Sequence, residues 1–164
     1  MMIHSKKIFV SSYFKALIIW GLGCFLLVSC ENLQNSKNEK MSKTVITAKG
    51  AAAPVGPYNH GILVNGTLYV SGQAAIVDGK AIEASIEDET HFVMKSMGAI
   101  LQEAGMDYSN IVKCSIFVKD MNNFAKINTV YGSYFTDQFP ARETVEVSRL
   151  PKDVNVEISC IAVK

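Results

Sequence analysis

The chain has 164 residues, 49% apolar and 19% charged, enough for one ordinary domain with a core and too apolar for wholesale disorder. The formal charge of +1 hides a split: residues 1–40 carry five lysines and two glutamates, whereas residues 41–164 carry eleven Lys and Arg against thirteen Asp and Glu, a balance of −2. A slightly acidic body with no basic stripe is a poor footprint for nucleic acid, and four cysteines (Cys24, Cys30, Cys114, Cys160) with three scattered histidines match no zinc or disulfide spacing.

Met1 to Lys15 form a basic leader with Lys6, Lys7 and Lys15 and no acid. Ala16 to Val28 follow as an uncharged apolar run of thirteen. That is short of the roughly 20 residues that cross a bilayer and suits the core of a signal peptide. The run ends in Leu27-Val28-Ser29-Cys30, which resembles a bacterial lipobox. The expected organisation is a signal peptide over 1–29, a lipidated tether over 30–40 beginning at Cys30, and one domain over 41–164. The product would then be a lipid-anchored envelope protein on the periplasmic side. An uncleaved N-terminal anchor is the competing reading of the same run. Met41, opening Met-Ser-Lys-Thr-Val-Ile, offers an alternative start that would leave the protein in the cytoplasm.

Within the domain, Val45 to Ala48 read as an edge strand, and Gly50 to Tyr58 as a turn-rich stretch restricted by Gly and Pro. Ile62-Leu63-Val64, Asn65-Gly66 and Thr67 to Ser71 spell a hairpin, because Asn-Gly tolerates the positive φ of a tight turn. Val77 to Lys80 is a second turn. Ser85 with Asp88 three residues on marks a helix start; Ile86, Val93, Met97, Ile100 and Ala104 recur at helical spacing, and Gly105 is the stop. Ile111 to Lys119 alternate as a strand with Val112, Cys114, Ile116 and Val118 on one face. A second helix begins after Asp120 or Asn122 with the stripe Phe124, Ile127, Tyr131, Tyr134 and Phe135, and Pro140 ends any continuation. Two last strands are expected over Arg142–Ser148 and Val154–Val163.

This order predicts an α+β layer, two helices covering one face of a mixed sheet. Val145 and Val147 are expected to face the core, together with Val156, Ile158, Cys160 and Ala162. Arg142, Thr144, Glu146 and Ser148 then fall on the opposite face with Asn155, Glu157, Ser159, Ile161 and Val163. Apolar and polar residues interleave there, as a subunit interface containing a site requires. On that shared face, Arg142 after Phe139-Pro140-Ala141 can hold a carboxylate through two parallel hydrogen bonds, and Glu157 can activate water or take up a proton. The pair suits a small 2-oxo or 2-imino acid; an Arg and a Glu on neighbouring strands are equally the pattern of a structural ion pair. His60 and His91 read as ordinary surface or helix-face histidines, Cys114 and Cys160 as inert core residues, and Tyr131, Tyr134 and Phe135 as core. Arg149 and Lys152 read as turn charges.

Gly56-Pro57-Tyr58, Ser71-Gly72-Gln73, Ile111-Val112-Lys113 with Phe117-Val118-Lys119-Asp120, Phe139-Pro140-Ala141-Arg142, and Val145-Glu146-Val147 with Arg149-Leu150-Pro151-Lys152-Asp153 together resemble the Rid (reactive intermediate deaminase, YjgF-like) family, RidA branch, across residues 41–164. The resemblance implies a chorismate-mutase-like fold and a homotrimer with sites in clefts between subunits. It also implies hydrolysis of 2-iminopropanoate and 2-iminobutanoate to 2-oxo acids and ammonia with no metal and no cofactor. Carried over by position, Arg142 is the carboxylate-binding arginine and Glu157 the glutamate that positions water. Tyr58 is a pocket tyrosine, Gly72 a backbone contact beside the substrate, and Asn128 an asparagine of partly structural role. Many members carry cysteine two residues after the arginine; Thr144 stands there instead, so no thiol is essential, and the Thr144 backbone or hydroxyl is expected to contact the substrate in its place. A trimeric module that binds small acids or a partner protein without turnover is the alternative.

Overall fold

In a computed structural model of the chain, the residues described are 42–164. The signal peptide expected over 1–29, and the lipidation at Cys30 and tether to residue 40 also expected there, lie outside them. Among the described residues no helix is long and apolar enough to cross a membrane.

Eight strands and two helices follow the expected order: β1 (Lys43–Ile46), β2 (Gly61–Val64), β3 (Thr67–Ala74), β4 (Ile76–Val77), β5 (Lys80–Ala81), α1 (Ile86–Glu103), β6 (Ile111–Val118), α2 (Phe124–Gly132), β7 (Ala141–Glu146) and β8 (Val156–Val163). Six of the strands form one mixed sheet in the order β1-β2-β3-β8-β6-β7, in which only β6 and β7 run parallel. β4 and β5 form a separate two-stranded ribbon. Local chemistry sets the turns: Asn65 and Gly66 both take positive φ (49° and 76°), giving the tight turn that pairs Val64 with Thr67. Asp78 and Gly79 do the same between β4 and β5.

α1 starts where expected. The Ser85 hydroxyl accepts the Asp88 N–H at 3.1 Å, and acidic Glu87, Asp88 and Glu89 fill the first turn, where the helix dipole favours negative charge. It ends in a Schellman arrangement: Gly105 takes φ 68°, its N–H bonds Gln102 O, and the Met106 N–H bonds Leu101 O. The helix buries Val93, Met94, Met97, Ile100 and Leu101 against Leu68 and Val70 of β3 and Val156, Ile158, Cys160 and Ala162 of β8, in one core that also takes in Cys114, Ile116 and Val118 of β6. Each such aliphatic side chain contributes roughly 1.5–3 kcal/mol on burial. Glu89, nearly inaccessible, accepts the Asn155 N–H at 3.0 Å and thereby ties α1 to the start of β8.

Three expectations need correction. Val112 does not share the core face of β6: the register against β8 shifts between Ile111 and Lys113, so Ile111 turns inward and Val112 is 49% exposed. α2 ends at Gly132, so Tyr134 and Phe135 pack on the core from beyond the helix, and Phe124 is largely exposed. The third concerns β7. Arg142, Thr144 and Glu146 register with Cys114, Ile116 and Val118, which puts them on the helix side of the sheet; Val145 registers with Phe117 and is exposed on the open side. The parity assigned to β7 was inverted because an edge strand exposes both of its faces, and its two valines therefore carry no information about which face is the core.

The sheet face away from the helices carries Val45, Tyr69, Val145 and Val163, all 40–50% exposed, together with the expected Glu157, Ser159 and Ile161 of β8.

Candidate active site

Glu157 stands on β8 opposite Ala74 of β3 and Phe117 of β6, on the open face. Between Val70 and Gln73 the β3–β8 register breaks, and Ser71 and Gly72 bulge out of the ladder. The bulge brings the Gly72 backbone over the Glu157 carboxyl group. A Cβ at position 72 would lie 2.7 Å from the carboxyl carbon and nearer still to Oε1, so only glycine leaves the carboxylate its place. The two groups share a hollow of about 210 Å³ with Tyr58, Ser71, Gln73, Ala52, Val55 and Ile76. That is below the size of a drug-type pocket and suits a small acid. Burial alone pushes the Glu157 carboxyl above its ordinary value, since low polarity penalises the charged form. Tyr58 reaches the rim from a tight turn in which its N–H bonds Gly56 O and its hydroxyl accepts the Val55 N–H at 3.1 Å.

Arg142 occupies different ground. From the helix side of β7 its guanidinium carbon lies 5.0 Å from the Tyr131 ring centre and 5.8 Å from that of Phe124. A cation over aromatic faces is worth about 0.5–1 kcal/mol at exposed sites and more when desolvated. No carboxylate among the described residues pairs with it. Around it lie Asn128, Tyr131, Gly132, Phe139 and Pro140, lining a second, open hollow.

Tyr58, Gly72 and Glu157 thus come together, as do Arg142 and Asn128, but the two sets occupy separate hollows on opposite faces of the sheet. The expectation that Arg142 and Glu157 share a face within one chain is overturned by the β7 register, and with it the reading of the pair as a structural ion pair. Thr144 lines neither hollow; its hydroxyl oxygen is buried on the helix side without a hydrogen-bond partner.

Two residues carry more than the sequence suggested. Tyr131 is core, as expected, and also the platform beneath Arg142; an aromatic at helical spacing reads only as core. Gln73, quoted only as part of a motif, is 3% exposed and bonds the carbonyl before Gly72. His60 is not the expected surface or helix-face histidine: it is 5% exposed, lies outside any helix, and is satisfied by backbone on both ring nitrogens. Cys114 and Cys160 are buried register partners whose thiols burial pushes up, away from reactive thiolate. Arg149 holds Asp153 through two hydrogen bonds of 3.0 and 2.8 Å across the turn that carries Pro151 to the edge of the Glu157 hollow. Among the described residues no group of three His, Cys, Asp or Glu stands close enough to hold a metal.

The profile of the family described as Endoribonuclease L-PSP matches residues 48–164. A RutC family protein of Synechocystis is 48% identical over 128 residues, 75% of this chain and 98% of its own length. The 2-iminobutanoate/2-iminopropanoate deaminase of Bos taurus is 40% identical over 124 residues, 74% of this chain and 90% of that one. Among solved structures, a protein of the conserved Rid family from Yersinia pestis superposes with a TM-score of 0.72 at 44% identity, covering 75% of this chain and all of the other.

Proposed function

Because the chain belongs to this Endoribonuclease L-PSP (Rid) family, we propose that it hydrolyses small 2-imino acids, such as 2-iminopropanoate and 2-iminobutanoate, to 2-oxo acids and ammonia. The sites would be shared between copies of the chain in a homotrimer. One observation carries the reading: an unpaired guanidinium and a desolvated carboxylate occupy separate hollows on opposite faces of one sheet. Neither hollow alone can grip an acid and attack its neighbouring carbon. A second copy that lays its Arg142 hollow against the open face of the first unites them, and also covers the exposed Val45, Tyr69, Val145 and Val163.

In the united site Arg142 holds the substrate carboxylate through two parallel hydrogen bonds. A water between Glu157 and the imine carbon attacks that carbon: its oxygen forms the new C–O bond as Glu157 accepts its proton, and the C=N π electrons move onto nitrogen. Protonated Glu157 then returns the proton to nitrogen. Deprotonated again, Glu157 takes the hydroxyl proton of the carbinolamine and passes it to the amino nitrogen; the C–N bond breaks with its electron pair going to nitrogen, ammonia leaves, and the C=O of the 2-oxo acid forms. A carboxyl group raised toward neutrality suits both halves of this exchange. The imine is intrinsically reactive, so orientation supplies most of what is needed. Tyr58 and the Gly72 backbone border the path, and Asn128 supports the arginine side.

The test generates 2-iminobutanoate from threonine with threonine dehydratase and follows its decay. The protein accelerates decay; Arg142→Lys and Glu157→Gln each remove most of the acceleration. Mixing the two impaired variants restores about a quarter of the sites, because each site takes one residue from each neighbour. Binding of a small acid without any turnover would establish the module reading instead. For the N-terminus we propose acylation at Cys30 and anchoring in the cell envelope. Fatty-acid labelling that Cys30→Ala does not remove, or a native N-terminus at Met41, would overturn it.

A further inference from the structure

Behind the Glu157 hollow lies a closed circuit of buried and half-buried hydrogen bonds that touches none of the reacting groups. The His60 ring accepts the Ala48 N–H on Nδ1 (3.0 Å) and meets Ala52 O through Nε2 (3.0 Å). A backbone N–H can only donate and a carbonyl only accept, so the proton sits on Nε2. The Ala52 N–H donates to Ser96 Oγ at 3.1 Å; the Ser96 hydroxyl must therefore spend its own proton on Gln73 Oε1, at 2.7 Å. That orients the Gln73 amide, whose Nε2 donates to Ser71 O at 3.0 Å. The circuit closes where the Ser71 N–H donates to His60 O at 3.0 Å. His60, Gln73 and Ser96 are each 5% exposed or less, so water does not stand in for these three side chains.

Two of the peptides held this way form the hollow. Ala52 is one wall. Ser71 O is drawn inward onto Gln73, and in a trans peptide the following N–H, that of Gly72, points the opposite way. The bulge leaves Ser71 and Gly72 without register partners on β8. We propose that Ser96, a residue of α1 outside the hollow, is a positioning residue that sets both the Ala52 wall and the Gly72 peptide of the substrate site through this circuit. The inference rests on the imine-hydrolase reading only for its kinetic arm.

The experiment uses the full chain. In Ser96→Ala the KM for 2-iminobutanoate rises at least tenfold while kcat stays within threefold, and Ser96→Thr, which keeps both hydrogen bonds, returns KM to within threefold of the parent. In ¹⁵N-labelled protein, Ser96→Ala shifts the Ala52 and Gly72 amide resonances together and leaves that of Cys160 in place. Gln73→Met, which cuts only the Gly72 arm, shifts Gly72 and spares Ala52. Unchanged KM and unchanged amides in Ser96→Ala would overturn the proposal, as would loss of kcat and thermal stability with both amides in place. Should Ser96→Ala not fold, a Gln73→Met variant that moves Ala52, or leaves Gly72 unmoved, overturns it. Should the parent protein hydrolyse no imine, the reading of function fails and the amide shifts alone decide this one.

Discussion

The two hollows are built on opposite principles. Glu157 lies half-buried in a small space whose walls are held by hydrogen bonds and beside which only glycine fits, and burial raises its carboxyl group. Arg142 lies on the faces of Tyr131 and Phe124 beside Phe139, which is 65% exposed, with no carboxylate of its own to hold it. In the proposed reaction a half-buried carboxyl group and an unpaired cation would divide the work, one taking up a proton and the other docking an anion.

Substitutions that attack the two sides should therefore differ in kind as well as size. The largest effect is expected from Glu157→Gln, which removes the proton acceptor and should lower kcat by about 10²–10⁴ in the imine-decay assay. The same variant should be the more stable protein at high pH. Burial raises the Glu157 carboxyl, so the folded state holds its proton more tightly than the unfolded chain. That stabilising contribution is full below the unfolded value and is lost as pH rises through the folded one. Glutamine never charges, so melting curves of the variant and the parent should coincide at about pH 4 and separate by about pH 8, with the variant melting higher.

Arg142→Lys comes next. A point charge replaces a planar fork, and kcat/KM should fall about 100-fold, with the melting temperature nearly unchanged because the side chain bonds no carboxylate of its own protein. Gly72→Ala sharpens the contrast from the Glu157 side: the new methyl displaces the Glu157 carboxyl group, and activity should drop roughly tenfold or more while circular dichroism stays native. Thr144→Ala is the smallest change. Its buried hydroxyl oxygen has no partner, so its removal should leave turnover within about twofold and stability equal or slightly higher by thermal denaturation.

Both helices, the Asn65-Gly66 hairpin, the Ser85 cap and the inward face of β8 follow from local pattern, because each is dictated by residues within a few positions of one another. Along β8, strict alternation between two strands that cover it on either side makes parity legible. At the edge, β7 offers two valines and no such constraint, and there the reading inverted. The bulges at 71–72 and at 111–113 were equally hidden, since a register shift belongs to a pair of strands and leaves no mark in either alone. Ser96 leaves only a faint sign in the sequence, a hydroxyl between Val93 and Met97 on a stripe that also buries Thr90.

From its sequence alone this protein is an α+β domain of recognisable family, with Arg142, Glu157, Tyr58 and Gly72 singled out by type and motif position. Tertiary structure alone decided that the arginine and the glutamate face away from each other, because parity on an edge strand is set by its neighbour's register and not by its own side chains. It also decided that glycine, glutamine, serine and histidine from three distant segments converge behind one carboxylate, since hydrogen bonds that close over tens of residues depend on which backbones the folded core brings together.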